Sequence, residues 1–139
     1  MAALLGDLRG ADVLEPSAGT GNLARAALDA GCEPARLVMV ELHCRLADEL
    51  RRKGHRVEQT DFLEYAATAP RFGAVIMNPP FSRVRAHMSA AASLLAPGGR
   101  LVALVPVTFD GAGFHTVERL PVTTFATAAV NTKIVMFYR

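Results

Sequence analysis

The chain alternates from end to end between short runs of apolar residues and longer amphipathic or alanine-rich stretches. Apolar runs predict strands over 36–42 (RLVMVEL), 72–77 (FGAVIM) and 100–106 (RLVALVP), and the stretches that separate them predict helices. Strands that are apolar at nearly every position are typical of a parallel sheet covered on both faces. The alternation therefore predicts an open α/β fold.

Four weaker strands complete the predicted sheet, and they are expected over 12–15, 56–62, 121–127 and 133–139. The short connection over 128–132 predicts that the last two strands are antiparallel. The predicted fold class is an open, doubly wound, mostly parallel seven-stranded sheet with an antiparallel last strand. Helices are expected over 22–30, 43–53, 63–67 and 82–95, with partly helical structure over 108–120. The expected core includes Val13, Val38, Val40, Val75, Ile76, Leu101, Val102 and Leu104.

Composition narrows the possible classes of function. Hydrophobic residues make up 51% of the 139 residues, which suits one globular domain with a single core. A formal net charge of +2 is compatible with a nucleic-acid partner but does not indicate one. No apolar run approaches the roughly 20 residues of a membrane span, so no membrane partner is expected. The cysteines, Cys32 and Cys44, show neither metal-ligand nor disulfide spacing, and a cytoplasmic location is expected.

The sequence predicts no metal site. The histidines show no paired spacing, and each is expected to be a surface residue rather than a ligand: His43, His55, His87 and His115.

Unusual residues follow four of the predicted strands at the point where each strand ends. The segment 15–21 (EPSAGTG) follows the first strand, Glu41 ends the second, Asp61 ends the third, and 78–81 (NPPF) follows the fourth. Ligands of open α/β sheets bind outside the carboxyl ends of the strands. We therefore expect these residues to share one site.

The glycines of the first segment allow several interpretations. Gly19 and Gly21 let the backbone approach a ligand closely, and the helix that follows aims its first amides at an anion. The segment lacks the lysine of a nucleotide P-loop, and Ala24 at the last position of the dinucleotide fingerprint leaves dinucleotide binding open. An ordinary turn between a strand and a helix is the alternative.

Each acid also has two interpretations. Glu41 lies twenty residues after Gly21, where a carboxylate can accept hydrogen bonds from a ribose diol, or it is a solvated strand end. Asp61 can accept from the exocyclic amine of an adenine, or it is the N-cap of the helix that follows.

The two consecutive prolines after the fourth strand predict a rigid, extended turn. Proline fixes φ near about −65° and removes a backbone donor, and the residue before it is pushed away from the helical region. Pro79 and Pro80 therefore stop the strand and fix the backbone between Asn78 and Phe81.

Together these segments resemble the class I S-adenosylmethionine-dependent methyltransferases. The matching residues are 13–21 (VLEPSAGTG), Glu41, 61–62 (DF) and 78–81 (NPPF), and 131–135 (NTKIV) resembles the last hairpin of the family. Within the family the chain is most similar to the amino-methylating branch typified by DNA adenine-N6 methyltransferases. The resemblance implies a Rossmann-like methyltransferase fold and S-adenosylmethionine as the cofactor.

The resemblance also implies roles for individual residues. Glu41, with Leu42 beside it, would bind the cofactor ribose, and Asp61 and Phe62 would bind its adenine. The methionine part would be wrapped by the loop residues Glu15, Pro16, Ser17, Ala18, Gly19 and Gly21. The turn residues Asn78, Pro79, Pro80 and Phe81 would be catalytic, with Asn78 also touching the cofactor.

A conjugated NH₂ group is a poor nucleophile because its lone pair is delocalised. The Asn78 side-chain oxygen and the Pro79 carbonyl can accept from both N–H groups and favour a more tetrahedral nitrogen, and a rigid turn preorganises them. Phe81 offers a ring on which a flipped-out base can stack. The cofactor is itself the electrophile, so the chemistry requires no metal.

The basic residues near the turn are candidates for substrate contacts. Arg83 and Arg85 could meet substrate phosphates, or they belong to a solvated helix start. The denser basic run over 51–56 is expected at the opposite edge of the sheet, as the ordinary end of a helix.

Residues 1–139 are expected to form a single catalytic domain that lacks a target-recognition domain and most of the N-terminal helix that covers the cofactor. A nucleic acid, with DNA favoured, is the expected partner, together with a separate recognition subunit or domain.

Two alternatives stay open. The substrate could be an RNA base or a release-factor glutamine, whose amide poses the same lone-pair problem, although that last branch usually has Tyr in place of Phe81. The chain could also be a non-catalytic cofactor-binding module or a fragment of a larger protein.

Overall fold

The computed structural model describes residues 1–120 and 131–139, which form a seven-stranded sheet with helices on both faces. The strands are β1 Val13–Pro16, β2 Leu37–Val40, β3 Arg56–Glu58, β4 Phe72–Met77, β5 Leu95–Pro106, β6 His115–Leu120 and β7 Thr132–Tyr138. The α-helices are α1 Ala2–Leu5, α2 Asn22–Asp29, α3 Cys44–Arg52, α4 Phe62–Ala66 and α5 Val84–Ser93. Short 3₁₀ turns cover Pro34–Arg36 and Phe81–Arg83.

The strand order is β3-β2-β1-β4-β5-β7-β6. Neighbouring strands from β3 to β5 pair in parallel, whereas β7 is antiparallel to both β5 and β6. The predicted fold class is confirmed. The order reverses beside β1, which has β2 on one side and β4 on the other, and a ligand crevice is expected at such a reversal.

Both faces of the sheet are buried, as the apolar strands predicted. On one face, Val13, Met39 and Ile76 pack against α1, α2 and α3. On the other face, Leu14 and Val75 pack against α4 and α5. Every residue of the predicted core is buried, which confirms that prediction. None of the helices within 1–120 and 131–139 has the length and apolarity needed to cross a membrane.

The segment 108–120 is not partly helical, and that prediction is wrong. His115–Leu120 forms the edge strand β6, which pairs with β7 through registers such as Leu120 with Thr132. Its side chains are mostly exposed, and its sequence has no apolar run that would predict a strand. The strand forms because the segment pairs with β7. The predicted strand over 121–127 lies outside the described residues.

Strand β5 begins earlier than predicted. The helix expected over 82–95 and the strand expected from residue 100 left Gly98 and Gly99 in the turn between them, but both lie within β5 and exchange hydrogen bonds with Arg139. Gly98 N–H donates to the Arg139 carbonyl at 3.0 Å, and Arg139 N–H donates to the Gly99 carbonyl at 3.0 Å. Gly98 has φ of 76° and lies where the β4–β5 register shifts, so glycine here fits an irregular strand.

Candidate functional site

A cavity of about 520 Å³ opens at the carboxyl edge of the sheet. This volume lies within the roughly 300–1,000 Å³ range of small-molecule sites. The segments after β1, β2, β3 and β4 all contribute to it, as the sequence predicted. Its walls include the predicted site residues Ser17, Gly19, Glu41, Leu42, Asp61, Phe62, Asn78, Pro79, Pro80, Phe81 and Arg83. They also include Val40, His43, Leu46, Thr60 and His87, which were not predicted there.

The loop after β1 needs its two glycines for different reasons. Gly21 has φ of 84°, and a β-carbon there would lie 2.7 Å from Leu50 Cδ2, so a side chain would push α3 away. Gly19 has φ of 58°, and a β-carbon there would meet no described atom within 4 Å. Gly21 therefore serves packing, whereas Gly19 leaves open space on the cavity wall. Ser17 also has φ of 58°, which is uncommon for a residue with a β-carbon.

Glu41 is buried, being 5% exposed, so it is not a solvated strand end. Its Oε2 accepts from Gly19 N–H at 2.7 Å, and its Oε1 accepts from His43 N–H at 2.8 Å. The carboxylate therefore ties the glycine loop to the end of β2. Each oxygen retains further acceptor capacity toward the cavity.

Glu15 lies in the neighbouring strand β1 and is buried more deeply than Glu41, at 2% exposed. Within the described residues its Oε2 has no hydrogen-bond partner. Burial raises the pKa of Glu15 to about 8, and the Ala24 and Leu23 N–H groups of α2 offset only part of that rise. The loop residues Pro16, Ala18 and Gly21 are buried as well. Like Glu15, they are absent from the cavity lining and pack behind it.

Asp61 uses its two oxygens in two directions. Its Oδ1 accepts from Leu63 N–H at 2.7 Å, so Asp61 is the N-cap of α4. Its Oδ2 accepts from Arg83 Nη1 at 2.8 Å. The Leu63 N–H and then the Arg83 guanidinium lower the pKa of Asp61. The oxygen that does not cap the helix is thus held by the Arg83 guanidinium, which also lines the cavity.

Arg83 and Arg85 were both predicted as candidates for substrate contacts, but the structure places them differently. Arg83 lies on the cavity wall and pairs with Asp61. Arg85 pairs with Asp110, and both of those side chains are exposed. The basic run over 51–56 ends α3 and leads into β3, as predicted. One of its side chains reaches the glycine loop, where Lys53 Nζ donates to the Thr20 carbonyl at 3.3 Å.

The turn after β4 has the predicted form. The strand ends at Met77, and Pro80 has φ of −60° and precedes the 3₁₀ turn, whose Arg83 N–H donates to the Pro80 carbonyl at 3.0 Å. Pro79 is buried, whereas Asn78 is exposed on the cavity wall. The turn therefore presents a polar side chain from a fixed backbone.

His87 was predicted to be a surface residue, and that prediction is wrong. It is 4% exposed, lies on the cavity wall, and packs at a ring-centroid distance of 5.4 Å from Phe62. Neither ring nitrogen has a hydrogen-bond partner among the described residues. The helical spacing of Val84, His87, Met88 and Ala91 is the signal that could have found it, since it places His87 on the buried stripe of α5.

Metal-binding groups are not assembled in the part of the chain that the structure describes: no cluster of three or more His, Cys, Asp or Glu residues lies within 1–120 and 131–139. Cys32 is buried and Cys44 is exposed, and neither forms a disulfide with a described residue.

No protein-family profile and no curated protein sequence matches the chain. Solved structures do share its fold. TrmN from Thermus thermophilus aligns with a TM-score of 0.71 at 18% identity, over 99% of this chain and 48% of that protein. The 23S rRNA methyltransferase ErmE aligns with a TM-score of 0.78 at 20% identity, over 99% and 65%. The glycopeptide N-methyltransferase MtfA, complexed with S-adenosylhomocysteine, aligns with a TM-score of 0.65 at 16% identity, over 97% and 85%. The chain thus has a fold found in methyltransferases, and it spans less than two thirds of the length of TrmN and ErmE.

Proposed function

We propose that the chain is an S-adenosylmethionine-dependent methyltransferase domain that methylates an exocyclic amino nitrogen. The observation that carries the proposal is one cavity lined both by a buried acid beside a glycine loop and by an Asn-Pro-Pro-Phe turn. Glu41, Gly19, Asn78 and Phe81 all line it. The fold shared with methyltransferases, one of them complexed with S-adenosylhomocysteine, supports the same assignment.

The cavity suits the cofactor in three places. The space beside Gly19 admits a ligand close to the backbone, and Glu41 has acceptor capacity for ribose hydroxyls. Phe62 offers an apolar ring and Asp61 an acceptor for an adenine amine. When bound, the cofactor supplies an electrophilic methyl group on its sulfonium.

The turn would prepare the nucleophile. Asn78 Oδ1 and the Pro79 carbonyl would accept from the two N–H groups of the target, which turns the nitrogen lone pair toward the methyl group. The two prolines hold these acceptors in place before the substrate arrives, so less reorganisation is needed during the reaction. Phe81 would stack on the base, and solvent at the open cavity would take the proton that the nitrogen loses.

The substrate that we propose first is N6 of adenine in DNA. Phe81 beside the paired prolines suits a planar base, and Arg83 on the same wall suits a nearby phosphate once it leaves Asp61. An RNA base is the second candidate, because the related fold of ErmE belongs to a 23S rRNA methyltransferase. A recognition subunit or domain would choose the target sequence.

The test is transfer of a labelled methyl group to unmethylated DNA, RNA and release-factor protein in parallel. Asn78→Ala should reduce transfer by about 100-fold or more, the order of effect of losing one preorganised polar group. Its affinity for S-adenosylhomocysteine should change by less than about 3-fold, because the side-chain oxygen that is lost is the one proposed to accept from the target amine. Asn131→Ala, an exposed asparagine outside the cavity lining, is the matched control and should keep full activity.

Label on DNA adenine would support the first substrate, and label on RNA the second. Label on protein glutamine would replace both with the release-factor alternative. Full transfer by Asn78→Ala would show that the turn only stops a strand. Tight cofactor binding with no labelled product would support a non-catalytic module.

A further inference from the structure

His87 is the buried polar side chain of the cavity that the proposed chemistry leaves without a role. It is 4% exposed, and both of its ring nitrogens lack a hydrogen-bond partner in the described residues. Buried polar groups are nearly always hydrogen-bonded, and leaving one unpaired costs free energy. An imidazole kept in this state indicates that its partner arrives with a ligand.

The surroundings of His87 restrict what that partner can be. Its ring packs against Phe62 at 5.4 Å and 50°, and it shares the cavity wall with Asp61. An aromatic face, a carboxylate acceptor and an imidazole therefore meet at one corner. Burial and the charge of Arg83 lower the pKa of His87, which favours the neutral ring with one donor and one acceptor.

A purine ring matches this set of groups. Its face can pack on Phe62, its exocyclic amine can donate to Asp61, and a ring nitrogen beside that amine needs a donor. The neutral imidazole can provide the donor. Both nitrogens of His87 are covered in the described structure, and the Arg83–Asp61 ion pair spans the same corner. Ligand entry therefore has to move Arg83 aside.

We propose that His87 is a purine-recognition residue that donates a hydrogen bond to a ring nitrogen of the cofactor adenine. This inference rests on the proposed cofactor, and it adds to that proposal a residue that selects the base. Together Asp61 and His87 would read the alternation of donor and acceptor along one edge of the adenine.

The test uses His87→Leu, which removes the polar atoms and keeps an apolar filler of similar size. Titration calorimetry should show S-adenosylhomocysteine binding about 5- to 50-fold weaker, because a buried ring nitrogen then lacks its donor. Thermal unfolding of the free protein should show equal or higher stability, because the unpaired imidazole is gone. A merely structural histidine would give lower stability, so the opposite signs of the two effects identify recognition.

Deaza analogues and two further variants test the hydrogen bond between His87 and the adenine ring nitrogen. The wild type should bind the 1-deaza or the 7-deaza analogue of S-adenosylhomocysteine more weakly than the parent compound. His87→Leu should bind that analogue and the parent with similar affinity. His87→Gln, whose amide keeps a donor and an acceptor, should recover part of the lost affinity. Met88→Leu changes a buried neighbour on the same helix outside the cavity lining and should leave affinity unchanged.

The outcomes separate the two proposals. If the wild type binds S-adenosylhomocysteine and His87→Leu binds it equally well, the role of His87 is overturned while the proposed cofactor stands. If His87→Leu discriminates against both analogues as strongly as the wild type does, the role is also overturned. If the wild type binds no S-adenosylhomocysteine, the proposed cofactor falls, and the inference falls with it.

Discussion

The part of the cavity around Glu41 (the Glu41 half) and the part around Asp61 (the Asp61 half) differ in how the carboxylate is held. After β2, the two oxygens of Glu41 accept hydrogen bonds from the backbone N–H groups of Gly19 and His43. After β3, Asp61 Oδ1 accepts from the N-terminus of α4, and Oδ2 accepts from a side chain, the Arg83 guanidinium. The Glu41 half is fixed by backbone, whereas the Asp61 half is occupied by a cation that a ligand must replace.

An acid at a strand end therefore does not by itself indicate how tightly a ligand binds there. A ligand that enters the Glu41 half adds hydrogen bonds to a carboxylate that is already oriented. A ligand that enters the Asp61 half gains one interaction and loses the Arg83–Asp61 ion pair. Preorganisation lowers the cost of binding, so we expect Glu41 to contribute more to affinity than Asp61.

Glu41→Ala should have the largest effect of the substitutions that test this comparison. Losing charge-assisted hydrogen bonds should reduce S-adenosylhomocysteine affinity by about 1.5–3 kcal/mol. The buried N–H groups of Gly19 and His43 also lose their acceptor, so the thermal midpoint should fall as well. Titration calorimetry and thermal unfolding provide the two measurements.

The control for that experiment is Glu49→Ala, an exposed glutamate of α3 outside the cavity lining, which should change neither quantity. Asp61→Ala should weaken binding less than Glu41→Ala. Equal affinity in the wild type and Glu41→Ala would remove Glu41 from the site, and a larger loss in Asp61→Ala would reverse the comparison.

Glu15 is a buried carboxyl group on β1, beside the Glu41 half of the cavity. Burial raises its pKa to about 8, from an ordinary value of 4.5. The folded protein therefore holds this proton more tightly than the unfolded chain does. Its contribution to stability is fully present below about pH 4.5 and is lost as the pH rises through about 8.

Glu15→Gln should therefore stabilise the protein at pH 9 relative to the wild type, by about 1–3 kcal/mol after relaxation around the carboxylate. The gain should shrink toward pH 5, where both side chains are neutral in the fold. Denaturant unfolding between pH 5 and 9 provides the measurement. Parallel pH profiles for the two proteins would show that Glu15 is ionised and solvated, contrary to its burial.

The sequence predicted the fold and most of the cavity because both depend on regular patterns. Apolar runs identified the strands that become β2, β4 and β5, and the carboxyl-edge rule then brought Gly19, Glu41 and Asn78 to one cavity. Strand β6 could not be predicted in the same way, because its exposed side chains carry no apolar pattern and its pairing with β7 provides the order.

The details that distinguish the two halves depend on contacts between distant segments. The Arg83–Asp61 ion pair joins residues 22 positions apart, and Gly19 and Glu41 are also 22 positions apart. No local pattern reports such pairs. His87 could not be found from the spacing of the histidines, because its burial depends on the helical stripe that it shares with Met88 and Ala91 on α5.

Arg83→Gln should have the smallest effect, and it acts in the opposite direction to the other cavity substitutions. Removing the guanidinium frees Asp61 Oδ2 for the adenine amine, so affinity for S-adenosylhomocysteine should rise. Because the Arg83 side chain is 51% exposed, the pair is solvent-screened, and the gain should be about 2- to 4-fold. Added salt should also strengthen binding to the wild type, since it weakens the competing ion pair, and it should have little effect on Arg83→Gln. Arg85→Gln removes an exposed ion pair outside the cavity lining and should leave the affinity for S-adenosylhomocysteine unchanged. If Arg83→Gln instead binds the ligand more weakly, Arg83 is a contact for the cofactor rather than its competitor, and both halves of the cavity are ready for ligand before it arrives.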